Sequence, residues 1–314
     1  MNINQDNIND FLNKYIDFVN KLSEKYSYPS NIKHVLYLII PAFVVKYGIK
    51  EERIILNCFE NVPVYINETG NKSFTAYFNR KLHSKTEDGT VKYFSSKEIV
   101  INDYYGTSLV ELIDNLVHEF NHAINSITNE VKWDDSTVSL RTGLSYINFY
   151  KNDITKVKSR SADITFEEII NTKQTEDVIN IINTFNNYKI YNSEFVNTLF
   201  SLNHDIDNNG YQSNAYYFQS YICKELMKNK TFIPTVENLR LKGNIDDISS
   251  WFDNITGIDD SYNKLVTLLD EILKDEANLD KVKFFKKYKV NKILEKSRKV
   301  LHIINVFENN CIYK

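Results

Sequence analysis

The spacing of apolar residues predicts that the chain opens with helices. Apolar positions recur every three or four residues over residues 5–26 and 31–47, which indicates two helices. The second contains the most apolar run, residues 34–45, which is too short to span a bilayer. It is therefore interpreted as a buried helix that Pro41 is expected to kink.

A β-rich section follows these helices. Four segments are rich in β-branched and aromatic residues and are predicted to be strands: residues 53–59, 62–66, 73–82 and 91–103. Turn sequences such as ETGN and EDG precede two of them. We expect successive strands of a small twisted sheet connected by hairpin turns.

The apolar period then changes to that of a helix. From Leu109 to Ile127, apolar residues recur every three or four positions, which predicts an amphipathic helix with a broad buried face. Ser108 and Glu111 are spaced as a capping box at its start.

Beyond this helix, residues 138–150 are typical of a β-hairpin centred near Thr142 and Gly143, or of an extended arm. Further helices are predicted over residues 165–186, 193–203, 213–228, 245–253, 261–274 and 290–308. The predicted class is α+β, with a small mixed or antiparallel sheet in the N-terminal half and an all-helical C-terminal half. Residues 1–130 and 131–314 would form two closely packed lobes, or parts of one domain.

Composition and charge exclude several classes of protein. Hydrophobic residues make up 42% and charged residues 25% of the chain, as in ordinary globular proteins. The formal net charge of -3 gives no strong field for nucleic acid or for a membrane surface. The three cysteines form no CxxC pair, and the N-terminus has no signal-peptide pattern, so a cytoplasmic location is expected.

The chemistry is concentrated in HEFNH, residues 118–122, within the capped helix. His118 and His122 lie one turn apart on one helix face, where two imidazoles can bind one Zn²⁺. Bound zinc lowers the pKa of a water ligand toward ~7. Glu119 would accept the proton of that water and deliver it to the leaving amine as a general base.

A catalytic zinc needs a third protein ligand and an open fourth position. No histidine follows HEFNH closely, so a carboxylate on a later helix is favoured. The candidates are Glu167, Glu168 and Glu176. Glu168 has a second interpretation, because Thr165 and Glu168 are also spaced as a capping box.

HExxH followed by a glutamate-bearing helix resembles the gluzincin group of zinc metallopeptidases. EEIINT matches the second helix of that group with Glu168 at the ligand position, 46 positions after His122. The resemblance covers residues 99–179 and implies a zincin-like fold in which His118, His122 and Glu168 bind one catalytic Zn²⁺. It does not identify the member family.

The sequence departs from that group four residues after the ligand, where an acidic residue often orients a ligating histidine. Thr172 stands there, preceded by Asn171. Either could serve more weakly, or Asp114, one turn before His118, could take the role.

An oxyanion donor is also required by this chemistry. The main candidates are Tyr146 and Tyr150 on the arm, and the others are His204, Tyr211, Tyr216 and Tyr217. The arm could instead line the cleft as an edge strand that pairs with an extended substrate.

A second metal pattern lies at residues 205–216. Asp205, Asp207 and Asn209 match the first half of an EF-hand loop that would bind Ca²⁺. Tyr216 stands where a bidentate glutamate belongs, so a polar loop between helices is favoured over a calcium site.

The sequence thus predicts a zinc metallopeptidase acting on peptides or proteins, without nucleic-acid or membrane partners. Two alternatives stay open. One is a catalytically silent zincin-like protein that acts by binding or regulation, and the other is a zinc hydrolase that cleaves a different amide.

Overall fold

The computed structural model describes residues 4, 6–67, 75–102, 104, 107–161, 163–185, 188, 217–279 and 286–312. Helices and two small sheets alternate along the chain, which confirms the α+β class. The chain divides into two compact units. Unit 1 comprises Met1–Lys81, Ser95–Ile124 and Lys173–Gln212, and unit 2 comprises Leu82–Phe94, Asn125–Thr172 and Ser213–Lys314.

Unit 1 is built around one buried helix. The first four helices are α1 (Ile8–Asn13), α2 (Ile16–Tyr26), α3 (Ser30–Tyr47) and α4 (Glu52–Asn61), with a 3-10 turn at Ile49–Glu51. Every residue of α3 from Val35 to Val44 is buried, and the helix continues through Pro41. A helix that is apolar all round belongs in a core, as α3 does.

Helix α4 corrects the sequence prediction, because residues 53–59 were expected to form a strand. Ile55, Cys58 and Phe59 are its buried residues, at the three- and four-residue spacing of a helix face. The Phe59 ring stacks on Phe120 with 4.0 Å between ring centroids. This packing overrides the β propensity of the isolated segment.

The first sheet contains β1 (Val64–Asn67), β2 (Ala76–Glu87) and β3 (Thr90–Asn102) in the order β1-β3-β2. Asp88 and Gly89 both have positive φ, as the two-residue turn between β2 and β3 requires. Strand β1, however, runs parallel to β3, with Val64 opposite Ile99. The expected series of hairpins is therefore wrong for β1, since parallel strands need a crossover connection. The ETGN turn lies outside the described residues.

The second sheet is an antiparallel meander in unit 2. Its strands are β4 (Val131–Trp133), β5 (Thr137–Thr142), β6 (Ser145–Tyr150) and β7 (Asp153–Arg160), in the order β4-β5-β6-β7. The predicted hairpin at Gly143 is confirmed, with Thr142 opposite Ser145. Both strands of that hairpin have a neighbour on each side. The expectation that this arm offers a free edge to a substrate is therefore wrong.

Every described element after Arg160 is helical. These are α6 (Ile164–Phe185), α7 (Tyr217–Ile222), a 3-10 turn (Leu226–Lys228), α8 (Phe232–Lys242), α9 (Asp246–Thr256), α10 (Ser261–Ala277) and α11 (Lys286–Ile312). The strands β4–β7 also follow residue 130, so residues 131–314 are mainly helical, as expected for this lobe, but the C-terminal part of the chain is not all helical. The helix predicted over residues 193–203 lies outside the described residues.

Helix α8 was missing from the sequence prediction. Its Pro234 falls in the first turn, where the absent N–H would have no helical partner anyway. Phe232 of α8 is fully buried, and its ring contacts those of Phe166, Phe252 and Phe307. These four aromatic residues belong to the hydrophobic core of unit 2.

Within the described residues, no single helix combines the length and the apolar character needed to cross a membrane. The pair Ser30–Tyr47 and Ile49–Asn61 meets these criteria only jointly, with a bend of 114° at its break. None of the three cysteines forms a disulfide within the described residues.

Candidate metal centre

The motif helix is α5 (Leu109–Ile124), and its start is fixed by the predicted capping box. The Ser108 backbone N–H donates to Glu111 Oε2 at 2.9 Å, and the Glu111 N–H donates to Ser108 Oγ at 3.3 Å. Two N–H groups that a helix start leaves without helical partners are thereby satisfied. The sequence prediction of this helix start is confirmed.

His118 and His122 lie one turn apart on α5. Their ring centroids are 4.9 Å apart, with the ring planes at 80°. His122 is 5% exposed, whereas His118 is partly exposed. Each imidazole can therefore turn a nitrogen toward a common point without changing the helix.

Glu168 of α6 completes a group with these histidines. One candidate ligand atom from each of His118, His122 and Glu168 lies within 4.8 Å of the others. Ligands about 2.1 Å from a tetrahedral zinc lie about 3.4 Å apart, so zinc binding would draw the three side chains together. Two imidazoles and one carboxylate form the donor set of a catalytic zinc site with an open position.

The other two candidate carboxylates are not part of this group. Glu167 is 1% exposed, forms an ion pair with Arg240 and accepts a hydrogen bond from the Leu144 N–H at 2.7 Å. Glu176 is half exposed, and its carboxylate lies 3.8 Å from Lys173. Position 168 is thus the one that faces the histidines.

Glu168 does not close a capping box with Thr165. Helix α6 begins at Ile164, so Thr165 lies inside the first turn and not at the position before it. The Thr165 hydroxyl instead donates to Asp270 Oδ1 at 3.2 Å. The alternative interpretation of Glu168 is therefore wrong.

Glu119 follows His118 on α5 and is 8% exposed. Consecutive helical residues differ in direction by about 100°, so Glu119 is next to the histidine face without sharing it. Its role as a general base stays a prediction.

Asn121, inside the motif, was not singled out by sequence analysis. It is fully buried and accepts a hydrogen bond from the Tyr47 hydroxyl at 3.1 Å. Its amide nitrogen donates to Thr175 Oγ1 at 3.3 Å. One side chain of the motif helix is therefore hydrogen-bonded to both α3 and α6. A polar residue between the apolar positions of a broad buried face was the available signal.

An ion pair also joins α6 to α3. Lys46 Nζ lies 2.7 Å from Asp177 Oδ2, and Lys173 also contacts this carboxylate. Burial raises the pKa of Asp177, but hydrogen bonds from Lys173 and Lys46 outweigh it and leave the pKa below its ordinary value. The carboxylate is thus held in its charged form.

The residues proposed to orient a histidine differ in their surroundings. Thr172 Oγ1 is buried and has no hydrogen-bond partner within the described residues, so Thr172 does not orient a histidine. Asp114 is close enough to Glu176 to help raise its pKa, after the larger effects of burial and Asp177. An orienting role for Asp114 or Asn171 stays a prediction.

Glu167 belongs to a buried charged cluster in unit 2. The side chains of Arg141 and Arg240 are fully buried, and Arg141 Nη1 donates to the Gly143 carbonyl at 2.6 Å. Burial lowers the pKa of Arg141 to about 10. The hairpin between β5 and β6 is bound to the first turn of α6, next to Glu168, through the hydrogen bond from the Leu144 N–H to Glu167.

The tyrosines proposed as the main oxyanion donors, Tyr146 and Tyr150, both lie on β6. The Tyr146 hydroxyl accepts a hydrogen bond from Lys132 Nζ at 3.3 Å and donates to Asp246 Oδ1 at 3.5 Å. Tyr150 is 43% exposed at the end of β6. A catalytic role for either tyrosine stays a prediction.

Several sequence candidates fall outside the described residues. These are the calcium ligands Asp205, Asp207 and Asn209, and the alternative donors His204, Tyr211, Tyr216 and the side chain of Tyr217. The candidate centre consists of His118, His122 and Glu168, with Glu119 beside them. Comparisons of the chain with family models, with curated proteins and with solved structures found no match.

Proposed function

We propose that this protein is a zinc-dependent metallopeptidase of the zincin type. The observation that carries the proposal is the group formed by His118, His122 and Glu168 within 4.8 Å, on two helices, with Glu119 following the first histidine. Two histidines and a carboxylate leave one position of a tetrahedral zinc open for water or a substrate carbonyl.

The chemistry of the proposed site is divided between the metal and the chain. Bound zinc would supply a Lewis acid that polarises a carbonyl and lowers the pKa of water. Glu119 would accept a proton as water attacks the peptide carbonyl and transfer it to the leaving nitrogen.

The exposure of the group suits a substrate. His122 is nearly buried, whereas His118 and Glu168 are partly exposed. A metal bound by this group would therefore have two partly exposed ligands. A structural zinc site would be closed by a fourth protein ligand.

Metal content tests the proposed ligands. The purified wild-type protein, dialysed against zinc and freed of loose metal, should contain one equivalent of Zn²⁺ by elemental analysis. His122→Ala should lose it, because two remaining ligands hold zinc poorly. His302→Ala is the matched control, since His302 is exposed on α11.

Zinc retained by His122→Ala, or lost equally from His302→Ala, would contradict the assignment of the ligands. One equivalent of zinc without cleavage of any member of a diverse peptide library would contradict the peptidase activity but not the metal site. One equivalent of iron in place of zinc would also contradict the proposed zinc peptidase, since two histidines and one carboxylate can hold Fe²⁺.

A further inference from the structure

We propose that Asn121 is a positioning residue, which sets the rotation of α5 against α6 and so turns the two histidines toward Glu168. The inference rests on the proposed zinc site and adds to it a residue that is not itself a ligand. Its partners in this role are Tyr47 of α3 and Thr175 of α6.

Both hydrogen-bonding ends of the Asn121 side chain are used. The carbonyl oxygen accepts from the Tyr47 hydroxyl and the amide nitrogen donates to Thr175 Oγ1. Asn121 is 0% and Thr175 2% exposed, so water is not available to replace Thr175. A buried amide that loses its hydrogen-bond partner costs free energy of folding. Because a hydrogen bond also depends on direction, this contact restricts the orientation of the helix in a way that apolar packing does not.

Helix geometry transmits this contact to the ligands. Thr175 is seven residues after Glu168 on the continuous helix α6. Seven residues of an α-helix return to within about 20° of the starting direction and rise about 10 Å. Glu168 and Thr175 therefore share one face of α6, and the contact with Asn121 selects that face.

On α5, Asn121 lies between the two histidines in sequence. A rotation of α5 by one residue, about 100°, would move both histidines away from Glu168. The same rotation would withdraw the Asn121 amide from Tyr47 and Thr175. The positions of the ligands and the satisfaction of this buried amide are thus coupled.

A second link holds α6 against α3 near the same place. Lys46, next to Tyr47, forms the ion pair with Asp177, two residues after Thr175. This pair keeps α6 in place when the Asn121 contact is removed. Variants of that contact should therefore fold, but the rotation of α5 against α6 should be less well defined.

Thr175→Val is the most direct test, since it removes the acceptor without changing the size of the side chain. We expect its affinity for Zn²⁺, measured by competition with a chromophoric chelator, to fall about tenfold, as when other supporting polar groups of metal sites are lost. The visible absorption of bound Co²⁺ should change as well, because it reports the ligand geometry. Thr175→Ser, which keeps the hydroxyl, should restore both.

Two further variants complete the design. Thr184→Val is the matched control, because Thr184 is on the same helix and its hydroxyl donates only locally, to the Ile181 carbonyl. It should leave Zn²⁺ affinity and the Co²⁺ spectrum unchanged. Tyr47→Phe removes the other partner of Asn121 and carries the test if Thr175→Val fails to fold.

Wild-type Zn²⁺ affinity and Co²⁺ absorption in Thr175→Val and Tyr47→Phe would overturn the inference and leave the zinc site intact. A lower unfolding free energy of the metal-free variants with unchanged metal binding would also overturn the inference, since it would show that these hydrogen bonds stabilise the fold without positioning the ligands. Failure of the wild-type protein to bind Zn²⁺ would instead contradict the proposed function.

Discussion

The carboxylate of Glu167 occupies the space into which a side chain at position 143 would project. A Cβ built on Gly143 would overlap this carboxylate, and the backbone of Gly143 has a φ of +52°. The same carboxylate accepts the Leu144 N–H and pairs with Arg240. The tip of the hairpin and the first turn of α6 therefore fit together only with glycine at position 143.

Gly143→Ala should destabilise the protein strongly. A positive φ costs alanine about 1 kcal/mol, and displacement of a buried carboxylate adds about 1–3 kcal/mol of overpacking. The free energy of unfolding in urea measures the sum. Gly257→Ala is the control, because Gly257 also has a positive φ of +67° but nothing within 4 Å of its added Cβ. Equal losses in the two variants would show that the Glu167 contact is unimportant.

Glu167→Gln and Glu168→Gln should have opposite consequences. Glu167→Gln leaves Arg240 buried without its charge partner, which should cost about 3–5 kcal/mol of unfolding free energy. Glu168→Gln removes a partly exposed charge and should cost less than about 1 kcal/mol, but it should release zinc. Urea unfolding of the metal-free proteins and elemental analysis measure the two effects. Zinc loss confined to Glu167→Gln would mean that the ligand is assigned to the wrong residue.

Asp177 should make stability depend on pH in the acid range. Its pKa is below the ordinary value of about 4 in the folded protein, so the ion pair with Lys46 stabilises the fold above that pH. This stabilisation disappears as pH falls through the lower pKa of the folded state. Asp177→Asn should therefore be less stable than wild type by about 1–2 kcal/mol at pH 7, with the difference shrinking below about pH 4.

Urea unfolding of both proteins at several pH values between 7 and 3 measures that difference. Asp259→Asn, at an exposed position, is the control and should track wild type throughout. A difference between wild type and Asp177→Asn that stays constant with pH would contradict a role for the ionised carboxylate.

Local signals determined what could be predicted from the sequence. Ser108 and Glu111 formed the expected capping box because each needs only the backbone of the same helix turn. The hairpin at Gly143 and the amphipathic face of α5 were recognisable for the same reason. The spacing of His118 and His122 follows from helix periodicity alone.

Features that depend on tertiary contacts were not predictable. Residues 53–59 have strand-like composition, yet Phe59 finds its packing partner in Phe120, far along the chain. The parallel pairing of β1 with β3 is equally non-local. At the site, the EEIINT resemblance favoured Glu168, but the contact that occupies Glu167 was not predictable, because the buried Arg240 that pairs with Glu167 is 73 positions away. The hydrogen bonds of Asn121 were equally unpredictable, since Tyr47 and Thr175 come from two distant helices.

The rate of peptide cleavage by zinc-loaded wild type and Glu119→Gln tests the central claim most directly. Both proteins should contain one equivalent of zinc, since Glu119 is not among the three grouped ligands. Wild type should cleave members of a diverse peptide library, and Glu119→Gln should do so at least about 100-fold more slowly, because it has lost the general base. Equal rates of cleavage in the two proteins, or no cleavage by zinc-loaded wild type, would contradict a metallopeptidase with Glu119 as its base.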